Sequence, residues 1–311
     1  MYQRKQGAGG DALQSARRER SAQGGSVEPV QMMHRVYRYL HRVTTPDRTG
    51  VVWFDLIEIG LVALGFLLYF LVRGAVIDRT HDALVNARWI VNLQSSVGLF
   101  IEPALNGWVL DHHLVLRLVN FVYFWLDFPL IIGAGLVLFW ARRNSYTLFR
   151  DALLISGGMA LVVYWIYPVA PPRYLKEWGF VDTLAQYSQL AYQTQSTKPF
   201  VNPFAAVPSL HVGWALLLAI VTFAASRRWW LRLGAIAVLV VQTVSVVATA
   251  NHFLFDAVIG VVIALAALAV AIWLQRRGYP AIREWFGRRA GVARGGGLPG
   301  VAAPRPLCGR G

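Results

Sequence analysis

Six stretches of this chain are apolar over nineteen or more residues each: roughly 51–72, 114–140, 150–168, 208–226, 229–249 and 253–274. A helix rises about 1.5 Å per residue, so about twenty apolar residues cross the hydrocarbon core of a bilayer. The composition agrees. Of 311 residues, 56% are hydrophobic and only 15% are charged, which is too apolar for an ordinary soluble domain. The expected fold class is therefore all-α, a polytopic membrane protein built as a six-transmembrane-helix bundle. The runs at 150–168 and 208–226 are the shortest, and both border polar motifs.

A net charge of +14 could suggest nucleic acid. The basic residues instead cluster in short segments between apolar runs and in the two tails, as the positive-inside rule requires, so no nucleic-acid partner is expected. Residues 1–50 carry nine Lys/Arg and four Asp/Glu and are expected to be a basic, largely disordered cytoplasmic tail. Within them, 31–45 fits a basic amphipathic helix on the membrane surface as well as a solvated tail. Residues 51–275 form the membrane domain, and 276–311 a basic, Gly/Arg-rich cytoplasmic tail. The segment 80–112 has helical periodicity but no run long enough to span, and is expected as an extra interfacial or re-entrant helix pair. The basic loops "ARRNSYTLFR" (141–150) and "SRRWWLR" (226–232) lie inside, with both termini. The loops 73–113, 169–207 and about 248–253 then fall on the outer face. The first fifty residues lack the apolar core of a cleavable signal peptide. A lone Cys308 excludes a disulfide framework and a cysteine-based metal cluster.

Three motifs fall on that outer face. In "NPFAAVPSLHVGWALL" (202–217), Pro208 and Ser209 mark a helix start, with Pro suited to the first turn and Ser to the N-cap. His211 follows in the first turn, where unpaired N–H groups and the macrodipole favour an anion such as phosphate. In "SVVATANHFLFDAVIG" (245–260), His252 stands at a second helix start and Asp256 one turn on, on the same face. A carboxylate beside one imidazole nitrogen fixes the tautomer and makes the other nitrogen a better nucleophile. In "YPVAPPRYLKEW" (167–178), Arg173 follows two prolines that end a span, and a guanidinium forks onto phosphate oxygens. Lys176 fits a solvated loop cation.

One histidine near a helix end is ordinarily a surface residue or a satisfied hydrogen-bond partner. Two histidines, an aspartate and an arginine, all at outer span ends, are another matter. Ionisable groups in membrane segments cost roughly 2.5–3.5 kcal/mol each on insertion scales and mark functional sites. Two His and one Asp could bind zinc, but the arginine and two helix N-termini suit an anion better, so neither a metal nor another cofactor is expected. Asp127 lines the site or pairs with another helix. Glu102, Asp55 and Glu58 are structural or interfacial.

"PSLH", followed about forty residues later by "NHFLFD", resembles motifs two and three of the type-2 phosphatidic acid phosphatase superfamily. With "APPR", the stretches "NPFAAVPSLHVGWA" and "ANHFLFDAVIG" are most similar to its inositol phosphorylceramide synthase-like (inositolphosphotransferase) branch. The resemblance covers roughly 114–275. It implies a six-helix fold and a histidine nucleophile that forms a phosphohistidine. By position it makes His252 the nucleophile, Asp256 its orienting group and His211 the acid that protonates the leaving group, while Ser209 and the adjacent backbone hold phosphate oxygens. The chain departs from the broader pattern of Ser-Arg seven and six residues before the nucleophile, having Ser245 and Val246 there. A first motif of Lys and Arg-Pro is also absent, which leaves Arg173 as the candidate phosphate-binding cation.

The expected activity is transfer of a phosphoryl or phosphodiester group from a membrane lipid phosphate to an alcohol such as inositol. With water as acceptor the same site would be a lipid phosphate or diphosphate phosphatase. A transporter or non-catalytic membrane protein is the third class. It would need polar groups at mid-membrane, and beyond Asp127 few exist.

Overall fold

The computed structural model describes residues 29–45, 53–74, 79–126, 128–187 and 204–291. Asp127 lies outside them, as does most of the N-terminal tail. All elements among the described residues are helical. They are α1 (29–44), α2 (Trp53–Gly74), α3 (Thr80–Ser96), α4 (Glu102–Leu110), α5 (His113–Trp125), α6 (Phe128–Ala141), α7 (Arg143–Ile166), α8 (Thr183–Tyr187), α9 (Leu210–Ala225), α10 (Trp229–Ala248), α11 (Leu254–Trp273) and α12 (Tyr279–Arg289). The chain forms two compact units, one from Met1–Phe54 with Arg276–Gly311 and one from Asp55–Gln275.

Among the described residues, α7, α10 and the stretch beginning at Leu254 are each long and apolar enough to cross a membrane. The helices α5 and α6, bent by 46° at their junction, together pass the same test and raise the number to four. The apolar α9 is shorter, at 16 residues. The segment 80–112 folds as the helix pair α3 and α4, as its periodicity predicts.

The membrane helix α7 starts seven residues before its apolar run. The segment 141–150, expected as a basic loop, is instead mostly its first two turns, and two of its three arginines, Arg143 and Arg150, are buried in ion pairs. Arg143 donates to Asp55, and Arg150 donates to Glu58 and, at 2.7 Å, to Asp151. The Tyr146 hydroxyl adds a 3.2 Å bond to Glu58. A buried pair is no gain over a well-packed apolar one, but removing one partner strands a charge at a cost of about 3–5 kcal/mol. Asp55 and Glu58 thus take the structural role expected of them.

The core forms where α7, α9 and α11 pack together. Trp214 of α9 is 2% exposed, lies edge-on to Phe66 and Phe128, and donates its indole N–H to Ser156 Oγ at 3.1 Å. The crossing of α9 and α11 is made by glycines. A Cβ placed on Gly260 would stand 2.2 Å from the Ser209 carbonyl oxygen, and one on Gly213 would stand 2.8 Å from the Gly260 oxygen. Only glycine allows two backbones this close, a packing mode common between membrane helices.

In the smaller unit, α1 packs on α12. The Tyr37 ring lies where a Cβ on Gly287 would approach it to 3.2 Å, and Arg283 Nη1 donates to Thr44 Oγ1 at 2.5 Å. Part of the basic segment 276–311 is the helix Tyr279–Arg289.

Backbone cannot yield to a side chain as a flexible neighbour can. Gly260→Ala is expected to destabilise the protein by about 3 kcal/mol. Gly234→Ala, with nothing within 4 Å of the new methyl, is expected to be neutral or to stabilise by up to about 1 kcal/mol. Thermal unfolding in detergent measures both. Equal melting temperatures for Gly260→Ala and the parent protein would contradict the close crossing.

Candidate active site

The helices α10 and α11 join through a tight reversal. Thr249, Ala250 and Asn251 follow α10, and the Val246 carbonyl accepts the N–H groups of both Asn251 (3.1 Å) and His252 (3.0 Å). Ala250 closes the turn with φ of 56°, a conformation that costs a non-glycine residue roughly 1 kcal/mol or more. Its carbonyl accepts the Arg173 N–H at 3.0 Å. Phe253 then caps α11, so His252 sits just outside the helix and Asp256 in its first turn, as the spacing predicts.

His252 is 5% exposed. Its Nδ1 lies 2.8 Å from the Ala206 carbonyl oxygen and 3.3 Å from Asp256 Oδ2. A carbonyl can only accept, so Nδ1 carries the proton, and in the neutral ring Nε2 is then the basic nitrogen. The shorter of the two bonds is therefore to the backbone, which sequence reasoning assigned to the aspartate alone. Asp256 is fully buried, and its Oδ2 also accepts the Phe253 N–H at 2.8 Å. It serves the histidine and the helix cap together, while its Oδ1 has no hydrogen-bond partner among the described residues.

Ser209 is the N-cap of α9, but its side chain makes no capping bond. It is fully buried, its N–H donates to the Asp256 carbonyl at 3.0 Å, and its hydroxyl has no hydrogen-bond partner among the described residues. Pro208 lies just before this cap rather than inside the first turn, and the Tyr164 hydroxyl donates to its carbonyl at 3.0 Å. His211 is in the first turn of α9, and its ring centroid is 5.7 Å from that of His252. The Tyr123 ring of α5 stacks on the His211 ring, with centroids 4.7 Å and planes 19° apart. The two imidazoles, 41 residues apart in the chain, thus share one end of the bundle.

Arg173 reaches the same loop from the segment after α7. Its Nη1 donates to the Asn251 side-chain oxygen, and its Nε lies 3.6 Å from Asp182 Oδ2. Lys176 stands in the second of two short 3₁₀ turns that follow, with no part in these bonds. All five candidate residues, His252, His211, Asp256, Ser209 and Arg173, are thus in or beside one cluster at the starts of α9 and α11.

One expectation needs correction. The start of α11 is not an open anion site, because side chains already hold its donors. The Leu254 N–H donates to Glu102 Oε1 at 2.8 Å and the Phe255 N–H to Gln94 Oε1 at 3.2 Å. Of the two helix starts invoked for phosphate, α9 remains. Glu102, Gln94, Asn251 and Tyr123 were not singled out for the site. Gln94 and Glu102 carry no local motif, since the helix-start N–H groups they accept belong to residues more than 150 positions away. Asn251 stands inside the quoted "ANHFLFD" and was legible as a possible arginine partner. Among the described residues, no three His, Cys, Asp or Glu gather to hold a metal ion.

Phosphoinositol dihydroceramide synthase of Bacteroides thetaiotaomicron is 27% identical over 157 residues, which is 45% of this chain and 50% of that protein. The match thus spans about half the length of the relative. No solved structure gives a significant match. The PAP2 superfamily matches residues 88–270, a stretch that holds α4, α7 and both histidine-bearing helix starts. With more than half of its length matched, this chain belongs to the PAP2 superfamily.

Proposed function

We propose that this protein is a membrane enzyme that moves a phosphoryl or phosphodiester group from a lipid phosphate to an alcohol, through a phosphohistidine on His252. The carrying observation is the meeting of two imidazoles, their ring centroids 5.7 Å apart, one of which has Nδ1 committed to a backbone carbonyl, so that its Nε2 is the nitrogen available for basicity in the neutral ring. Family membership supports lipid phosphates as substrates. The relative named as a synthase of phosphoinositol dihydroceramide supports transfer of a phosphoinositol unit to an alcohol rather than hydrolysis. In the proposed topology, six spans are formed by α2, α5 with α6, α7, α9, α10 and α11, both termini are cytoplasmic, and the histidines face the outer surface.

The donor lipid diffuses laterally and presents its phosphate at the interface. Arg173, the Ser209 hydroxyl and the first N–H groups of α9 hold its oxygens. His252 Nε2 attacks phosphorus in line, the P–N bond forms and the P–O bond to the lipid alcohol breaks. His211 gives its proton to the departing oxygen. Positive charge develops on the His252 ring, whose Nδ1–H faces the Asp256 carboxylate. His211, now neutral, takes the proton of the acceptor hydroxyl. That oxygen attacks phosphorus, the P–N bond breaks, and His252 is restored.

His252→Ala is expected to lower turnover of labelled phospholipid by at least roughly 10⁴-fold. His211→Ala should lower it roughly 10²–10⁴-fold and, under acid-free quench, accumulate label on the protein. The assay is run with and without added inositol or lipid alcohol. Product that needs the alcohol supports transfer, and product in water alone means the site is a phosphatase. Unaltered activity of His252→Ala would end the mechanism.

Asp256→Asn isolates the charge. The Ala206 carbonyl still fixes the tautomer, and the amide oxygen can still accept the Phe253 N–H. The loss is expected in kcat, at roughly 10- to 10²-fold, far below that of His252→Ala. Comparison of steady-state rates checks this, and a loss equal to that of His252→Ala would refute the division of labour between carbonyl and carboxylate.

A further inference from the structure

The face of α4 that carries Glu102 and Asn106 touches both helix ends that flank the His252 loop. These residues are four apart, so they stack on one side of the helix, and both are fully buried. Asn106 Nδ2 donates to the Ala248 carbonyl, the last of α10, at 2.8 Å. Its Oδ1 accepts the Val181 N–H at 3.0 Å, which ties in the segment after α7. Glu102 Oε1 accepts the first N–H of α11, that of Leu254, at 2.8 Å. Gln94 of α3 supports it by donating Nε2 to the same Glu102 oxygen, while its own oxygen accepts the Phe255 N–H at 3.2 Å. Trp89, also of α3, packs edge-on to the Phe255 ring at 6.2 Å.

The choice of a carboxylic acid here is informative. Glu102 is 0% exposed and makes no ion pair with a cationic side chain among the described residues, and its Oε2 has no partner. A buried carboxylate with no cation is costly. What it faces is the positive end of α11, where a carboxylate accepts N–H donors most strongly. An apolar residue would serve stability as well, but it would leave the start of the helix free to shift. His252 lies between the two held ends, at two residues from Leu254 and four from Ala248. Its side chain must meet the Ala206 oxygen on one side and the His211 ring on the other.

We propose that Glu102 and Asn106, with Gln94 in support, are positioning residues that clamp the 248–254 reversal and hold the His252 imidazole in the attacking geometry. The α3–α4 pair is then a working part of the site and not only a cover at the membrane surface. This inference rests on His252 being the nucleophile, but the clamp itself can be tested without turnover.

The test uses the full-length protein in detergent or nanodiscs, as Glu102→Ala, Glu102→Gln and Asn106→Ala. Amide exchange over 252–256 reads the cap, since first-turn helix amides without an acceptor exchange freely. Glu102→Ala should speed exchange at Leu254, whereas Glu102→Gln, which keeps an acceptor oxygen, should preserve protection. Ring-15N histidine NMR reads the imidazole. His252 should show a fixed Nδ1–H tautomer in the parent and in Glu102→Gln, and averaged tautomers in Glu102→Ala and Asn106→Ala. In the lipid assay, Glu102→Ala should lose roughly 10²-fold in kcat per folded molecule with KM little changed, and Glu102→Gln should recover most of it. Unchanged exchange at Leu254 in Glu102→Ala overturns the clamp. So does lost protection with the tautomer and kcat intact, or Glu102→Gln as impaired as Glu102→Ala. If the parent protein turns over no lipid phosphate, the proposed function fails while the amide and nitrogen signals still decide the clamp.

Discussion

The site depends on two helix backbones lying closer than any side chain permits. At the crossing of α9 and α11, Gly260 leaves room for the Ser209 carbonyl, and the Ser209 N–H bonds the Asp256 carbonyl at 3.0 Å. That single backbone bond sets the register of one helix start against the other. His211 is two residues beyond Ser209, and His252 is four residues before Asp256, so their separation follows from the crossing. In a bilayer no hydrophobic force drives helices together, so close packing of small residues carries more of the association. The same glycines that hold the bundle together therefore fix the distance between the imidazoles.

The loop between α10 and α11 is bound on every side. Val246 holds its amides from below, Arg173 bonds both Ala250 and Asn251, Ala206 takes the imidazole, and α4 grips both flanks. A positive φ at Ala250 would be a weakness in a free loop. Here the surrounding bonds over-determine it, the usual circumstance in which local strain persists at a working site.

Apolar length alone located α9, α10 and α11 to within about two residues, because in lipid a helix must run as far as its apolar residues do. The same reasoning misplaced the start of α7. Arg143 and Arg150 look like loop cations until their partners are known, and Asp55 and Glu58 lie 88 and 92 residues away. The His–Asp spacing was legible because both residues belong to one turn. The bond from Nδ1 to the Ala206 carbonyl was not, since it joins positions 46 apart through a backbone atom that any residue would supply. Gln94 and Glu102 were hidden for the same reason. A short helix with scattered polar residues reads as amphipathic surface, and nothing local tells that two of those residues point at the backbone of a distant helix.

The charges around the loop bear on which phosphate suits it. Arg173 is the guanidinium bonded to this loop among the described residues, and it is shared with Asp182. The carboxyls of Asp256 and Glu102 stand at the start of α11, whose positive end they engage before any ligand can. The sequence also lacks the arginine that the broader family carries six residues before the nucleophile, having Val246, which is fully buried. Holding a doubly charged phosphomonoester takes more positive charge than holding a singly charged phosphodiester, because electrostatic interaction scales with the charge held. On the proposed chemistry, a site in which the described guanidinium is shared with Asp182 and the start of α9 supplies the remaining positive charge is matched to a phosphodiester headgroup. Such a donor leaves a substituted phosphoryl group on His252. That group needs an alcohol of the right shape to take it away, which is the condition for transfer to compete with water.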